Sequence, residues 1–137
     1  MTPMNQNPLP PNAPALPDGP LVDVARLQQA IALFARERDW DPFHSPKNLA
    51  MALTAEVGEL VELFQWLSEG ASHRVAQDPA TARRVRDEIA DVLVYLVRLA
   101  AVLGVDLDEA VRSKLAANAL KYPADLARGN ARKYSEL

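Results

Sequence analysis

Apolar residues recur at every third or fourth position over segments too long to be strands, and nothing else in the chain restricts its fold so strongly. Val24, Leu27, Ala30, Ile31 and Phe34 form one series; Leu49, Leu53, Val57, Leu60 and Phe64 form another. That spacing lines one face of an α-helix. Start and stop signals frame the segments. Ser45-Pro46 and Asp78-Pro79 each join a capping side chain to a proline at the first helical position. Asp106 with Glu109 has the form of a capping box. Gly70 and Gly104 suit helix ends, Trp40 to His44 reads as a turn around Pro42, and Tyr122-Pro123 stops the last helix. The predicted helices cover about 23–39, 46–69, 79–103 and 107–121, with Gly70 to Gln77 as a loop. No segment alternates convincingly with a period of two, and no internal repeat is present. The expected fold is all-α, most simply a four-helix bundle.

Residues 1–20 hold seven of the eleven prolines and read as a disordered or polyproline-like tail. Residues 21–137 are expected to form one domain, ending in a short basic segment with Arg128, Arg132 and Lys133. The net charge of −3 and the lack of a Lys/Arg run argue against nucleic acid as a partner. With no cysteine there is no disulfide, no thiolate metal site and no Cys nucleophile. The N-terminus lacks the form of a signal peptide, and the apolar run Val92 to Val97 is far too short to cross a bilayer. A cytoplasmic location without membrane association is therefore expected. That same run is apolar on every side of its helix, which asks for more cover than one small domain supplies and points to subunit packing.

Acids interrupt these apolar segments in a regular way. Glu56 and Glu59 stand at i, i+3 in the second helix, and after 28 intervening residues Glu88 and Asp91 repeat the spacing in the third. An i, i+3 pair shares one side of a helix. A single such pair is ordinarily a solvated flank, but two pairs bordering apolar stripes on neighbouring long helices suggest convergence. Two carboxylates about 5 Å apart at an effective dielectric of 20 repel by roughly 3 kcal/mol, so convergence requires protons or cations. An all-oxygen ligand set favours Mg²⁺, Mn²⁺ or Ca²⁺ over zinc. Mg²⁺ shares its shell readily with phosphate oxygens, which points to a phosphate-bearing substrate. Glu62 lies further round the wheel and is ambiguous.

A di-iron carboxylate bundle would need Glu-x-x-His on two helices, and neither His44 nor His73 follows a Glu by three. Both histidines read as loop surface residues. There is no nucleophile elbow, P-loop or dinucleotide fingerprint. Trp40, Trp66 and Tyr95 are candidates for stacking on a base, or else core and interface aromatics. Lys114, Asn118 and Lys121 share a face of the fourth helix and are candidates for phosphate or sugar contacts, or a solvated face.

These residues resemble the MazG-type all-α nucleoside triphosphate pyrophosphohydrolases, and within them the dCTP pyrophosphatase group. The likeness is carried by Glu56-x-x-Glu59 and Glu88-x-x-Asp91 and by the surrounding words. Those words are Phe34 to Trp40, Leu63-Phe64-Gln65-Trp66, Asp91 to Val97, Lys114 with Asn118, Tyr122-Pro123, and Arg132 to Leu137. The resemblance implies hydrolysis between the α- and β-phosphates of dCTP, a modified dCTP or another (deoxy)nucleoside triphosphate, serving pool control or housecleaning. It implies Glu56, Glu59, Glu88 and Asp91 as Mg²⁺ ligands and catalytic residues; beyond that resemblance, Glu59 is a candidate for holding or activating the attacking water. Trp40, Trp66 and Tyr95 match positions around base and sugar, and Lys114 and Asn118 match nucleotide contacts. Lys121, Arg132 and Lys133 are added as basic candidates for the phosphates. Family members assemble as homotetramers, as dimers of dimers. One departure is that close animal members carry a His in the first helix where this chain has Ile31. A different functional class stays open: an oligomeric nucleotide-binding module whose acids do no catalysis.

Overall fold

The computed structural model describes residues 18–20 and 22–137. The tail expected at residues 1–20 therefore falls largely outside the described residues. Every regular element among the described residues is helical. These are α1 (Val24–Glu37), α2 (Pro46–Glu62), α3 (Glu69–Arg74), α4 (Pro79–Leu103), α5 (Leu107–Lys121) and α6 (Ala124–Ala127). Short 3₁₀ turns occur at Asp41–Phe43 and Tyr134–Glu136. The described residues divide into two compact units: Asp23–Asp106, and Leu107–Leu137 with the residues preceding Asp23.

Local chemistry accounts for the helix starts. The Asp23 carboxylate accepts from the Arg26 N–H at 3.2 Å, and Ser45 Oγ accepts from the Asn48 N–H at 3.2 Å, with Pro46 opening α2. Asp78 Oδ1 accepts from the Ala80 N–H at 3.1 Å, with Pro79 following. Each bond satisfies a donor that the first helical turn leaves unpaired. α4 ends where Gly104 takes the left-handed conformation at φ 70°, which costs a residue without Cβ nothing.

α4 and α5 have the expected extents, and α1 ends two residues early, within ordinary fraying. The second helix needs correction. α2 stops at Glu62, and Leu63 to Trp66 turn, with Phe64 and Gln65 both donating to the Val61 carbonyl. The segment expected as a loop contains α3. Ser68, read as lying at the end of a helix, begins one instead: its Oγ accepts from the Ala71 N–H at 3.1 Å. Glu69 in the first turn and Arg74 in the last complement the dipole of this short helix. His73 is thus helical, though still exposed. α6 is a further single turn that the apolar pattern was too short to reveal. The described residues hold six helices, not four.

In the Asp23–Asp106 unit the main pairing is α2 against α4, with α1 also on α4. Ile31, Ala35, Leu49, Val85, Val97 and Ala100 are buried, Leu49 and Val97 completely. The α2–α4 pairing matters for function because each helix carries one of the acid pairs. In the other unit Ala116 of α5 is buried, and the rings of Tyr122 and Tyr134 meet edge-on at 6.2 Å. Ile89, Leu93 and Leu96 of α4 remain exposed, so the apolar circumference expected of this helix does present uncovered surface.

Candidate functional site

α2 and α4 bring three of the four acids together. One carboxylate oxygen from each of Glu56, Glu59 and Glu88 lies within 4.8 Å of the others. Glu56 and Glu88 are half-buried and Glu59 is exposed. The Oε2 atoms of Glu56 and Glu88 are buried and have no hydrogen-bond partner. An unpaired carboxylate oxygen removed from water is costly. The Glu56 carboxyl is pushed above its ordinary pKa by burial first, then by the charges of Glu59, Asp91 and Glu88. Glu88 is pushed up by burial, then Glu59, then Asp91, with Arg84 pulling the other way.

Asp91 is exposed and stands outside the tight trio, but its charge reaches both buried acids. Glu62 is exposed and does not join the trio. Orphaned buried oxygens, like charges and an all-oxygen donor set fit a hard divalent cation of the Mg²⁺ or Mn²⁺ kind. Glu56, Glu59 and Glu88 could hold such an ion, with Asp91 adjoining.

Next to this cluster is a cavity of about 400 Å³. α1 contributes Ala30, Ile31, Phe34 and Ala35; the following turn contributes Trp40 and His44; α4 contributes Asp91, Val94, Tyr95 and Arg98. Asp91 belongs both to this lining and to the electrostatic surroundings of the acids. Positions 91, 94, 95 and 98 recur at three and four, so one face of α4 supplies the whole set. Phe34 and Trp40 pack edge-on with centroids 5.7 Å apart, and the rings of Trp40 and His44 are 6.1 Å apart. Trp40 is oriented by its backbone: Asp39 adopts a left-handed φ of 54°, and the Trp40 N–H donates to the Ala35 carbonyl at 2.9 Å. A concave, largely aromatic and aliphatic wall beside an acidic cluster can take a flat ring with its charged groups directed at the acids.

Three features here escape sequence reasoning. His44 is not a surface loop residue; it is half-buried and its Nδ1 accepts from Arg98 Nε–H at 3.1 Å. Burial, and then Arg98, hold its pKa below the ordinary value, while Asp41 acts in the opposite sense. Arg98 Nη2 also donates to Asp41 Oδ1 at 2.8 Å. The available signal was Arg98 itself, a lone charge between the apolar runs 92–97 and 99–103.

Of the aromatic candidates, Trp40 and Tyr95 line the cavity. Trp66 does not; it lies in the turn after α2 and is 88% exposed. Lys114, Asn118, Lys121, Arg132 and Lys133 belong to the other unit. There Lys121 Nζ sits 5.2 Å from the Tyr134 ring centroid, the Asn118 carbonyl accepts from the Tyr122 N–H, and Arg132 donates to Asn130 Oδ1. The Lys133 N–H donates to Glu136 Oε2 at 3.2 Å, and Lys114 is exposed.

Comparison with known proteins adds a second line. The profile of the MazG-like family matches residues 51–137. The human protein named dCTP pyrophosphatase 1 is 50% identical over 121 residues, covering 88% of this chain and 69% of the relative. A dATP/dGTP diphosphohydrolase of Cyanophage S-2L is 39% identical over 95 residues, 69% of this chain and 72% of that protein. Among solved structures, a pyrophosphatase from Archaeoglobus fulgidus DSM 4304 superposes with a TM-score of 0.69 at 36% identity. That match covers 79% of this chain and 99% of the other.

Proposed function

The chain belongs to the MazG-like family, and from that premise we propose that it is a nucleoside triphosphate pyrophosphohydrolase. The substrate proposed is dCTP or a modified dCTP, cleaved to the monophosphate and pyrophosphate in pool control or housecleaning. The observation that carries this reading is the adjacency of the trio Glu56, Glu59 and Glu88 to the aromatic cavity, linked through Asp91. The first site would suit a divalent cation with the triphosphate, and the second a base and sugar. Half the residues of the human dCTP pyrophosphatase 1 segment are shared, which supports the deoxycytidine choice. The phage relative, named for dATP and dGTP, keeps another base as a second reading.

The proposed Mg²⁺ would neutralise phosphate charge and make a nearby water more acidic. Glu56 and Glu88, whose buried oxygens lack partners, are assigned to hold it. Glu59, more exposed within the same trio, is proposed to orient and deprotonate the attacking water as well as to bind metal. Asp91 adds negative charge beside both and faces the cavity. Trp40 and Tyr95 are assigned to the base and sugar. Trp66, Lys114, Asn118, Lys121, Arg132 and Lys133 are proposed nucleotide-binding residues on the family resemblance alone. A homotetramer is supported by the exposed apolar residues of α4, which need cover. No described helix is long and apolar enough to cross a membrane, and a cytoplasmic site of action is proposed.

The deciding experiment incubates the protein with Mg²⁺ and a panel of canonical and modified (deoxy)nucleoside triphosphates. Pyrophosphate is detected separately from orthophosphate. Pyrophosphate release that EDTA abolishes is the expected result. Nucleotide binding without release would leave the non-catalytic module.

A further inference from the structure

We propose that Arg98 is a specificity-determining residue of the cavity: the free end of its guanidinium reads the edge of the base and selects bases that present two adjacent hydrogen-bond acceptors. The proposal rests on the pyrophosphohydrolase reading for what occupies the cavity.

The Arg98 side chain is 12% exposed, so its charge has to be met by specific partners. Two are present, and both lie on one flank of the guanidinium: Nε–H donates to His44 Nδ1 at 3.1 Å and Nη2–H donates to Asp41 Oδ1 at 2.8 Å. Arginine carries five N–H donors in a rigid plane. With that flank engaged, the end formed by Nη1 and the second N–H of Nη2 remains as a fork of two parallel donors. Nη1 has no hydrogen-bond partner among the described residues, and Arg98 lines the cavity. Because His44 Nδ1 accepts, the neutral imidazole carries its proton on Nε2 and is itself a donor there. Arg98 and His44 therefore offer this end of the cavity donors alone. Ala30, Ile31, Ala35 and Val94 around them have no side-chain polar atom to offer.

Position agrees with chemistry. Asp91 and Arg98 are seven residues apart on one face of α4, about 10 Å along its axis, with Tyr95 between them. A nucleotide whose phosphates lie at the acids and whose ring lies by Trp40 and Tyr95 carries the far edge of its base to Arg98. A guanidinium fork matches adjacent acceptors, as in its bidentate pairing with O6 and N7 of guanine. N3 and O2 of cytosine form such a pair. In thymine and uracil each ring carbonyl is flanked by the N3–H, so one arm of the fork would face another donor.

The same two bonds also tie the turn Asp41–Phe43 to α4, and a purely structural Arg98 would need nothing more. Selectivity separates the roles, since an anchoring residue has no means of telling one base from another. The test uses the full chain with Mg²⁺. It compares kcat/KM for dCTP and dTTP, and calorimetric affinities for dCMP and dTMP, in the wild type, Arg98→Leu and Arg98→Lys. The wild type should favour cytosine, and both variants should reduce that preference by roughly 10-fold or more, the scale of a bidentate base contact. The change should fall on KM more than on kcat. Should Arg98→Leu fail to fold, Arg98→Lys decides, because it keeps a cation beside Asp41 but has no fork. An unchanged cytosine-to-thymine ratio in folded Arg98→Lys, or a wild type without the preference, overturns the proposal. Pyrophosphate release with an unchanged ratio would fail this inference alone. Arg98-dependent preference for dCMP without any pyrophosphate release would instead fail the catalytic reading and uphold this one.

Discussion

Near its middle α4 carries Glu88 and Asp91; two turns further on the same helix carries Arg98. Glu88 joins Glu56 and Glu59 in a cluster of like charges, with two buried oxygens left unpaired and both half-buried carboxyls pushed up in pKa. Arg98 is also largely withdrawn from water, yet it meets a carboxylate and an imidazole nitrogen. The first region is incomplete as protein alone and gains by taking up a cation. The second is already compensated and has geometry, not charge, left to offer. Burial of charge thus marks two different tasks on one helix, and the partners present tell them apart.

The largest effect expected from breaking this contrast is at the acids. Glu88→Gln should lower Mg²⁺-dependent pyrophosphate release by more than about 100-fold, since even indirect disturbance of metal ligands costs 10–100-fold. The same substitution should raise, not lower, the urea midpoint measured in EDTA, because it removes one of the repelling charges. A fall in that midpoint would mean that the cluster is satisfied within the protein.

Next in size is the anchored end. Asp41→Ala takes the carboxylate from Arg98 while leaving His44. Asp41 is 53% exposed, so water replaces part of the lost bond, and a loss of about 1 kcal/mol is expected by chemical denaturation. No measurable change would show that the pair contributes little.

The smallest effects are in pH dependence, where the two regions have opposite signs. Glu56 and Glu88 have folded-state pKa values raised above the ordinary 4.5. Their contribution to stability is full below the unfolded value and is lost as pH rises through the folded ones. In EDTA the acids should therefore make stability decline from about pH 4.5 upward, and Mg²⁺ should flatten the decline. His44 has its pKa lowered from 6.5. Its contribution is complete above 6.5 and is lost as pH falls toward the folded value. His44→Gln should remove that acid-side loss while keeping the decline in EDTA, and denaturation midpoints across pH 4–8 read both.

Much of the fold could be read from local patterns. α4 and α5 stand where their start and stop signals placed them, because capping is settled by residues within a turn of one another. The end of α2 was not legible: no Gly or Pro marks Glu62, and Ser68 suits a start as well as a finish. The site divides similarly. The spacing of Glu56 with Glu59 and of Glu88 with Asp91 put each pair on one side of its helix, and the aromatic words around them suggested a base.

The helical class, the main helix starts and the acid pairs thus follow from local order alone, since all are consequences of hydrogen bonding and side-chain periodicity over a few residues. Which acids meet, the exposure of Trp66, and the pairing of Arg98 with Asp41 and His44, 57 and 54 residues earlier in the chain, come from long-range packing. Those outcomes depend on how α2 and α1 pack against α4. Helical periodicity says which residues share a face but not what the facing helix brings to it.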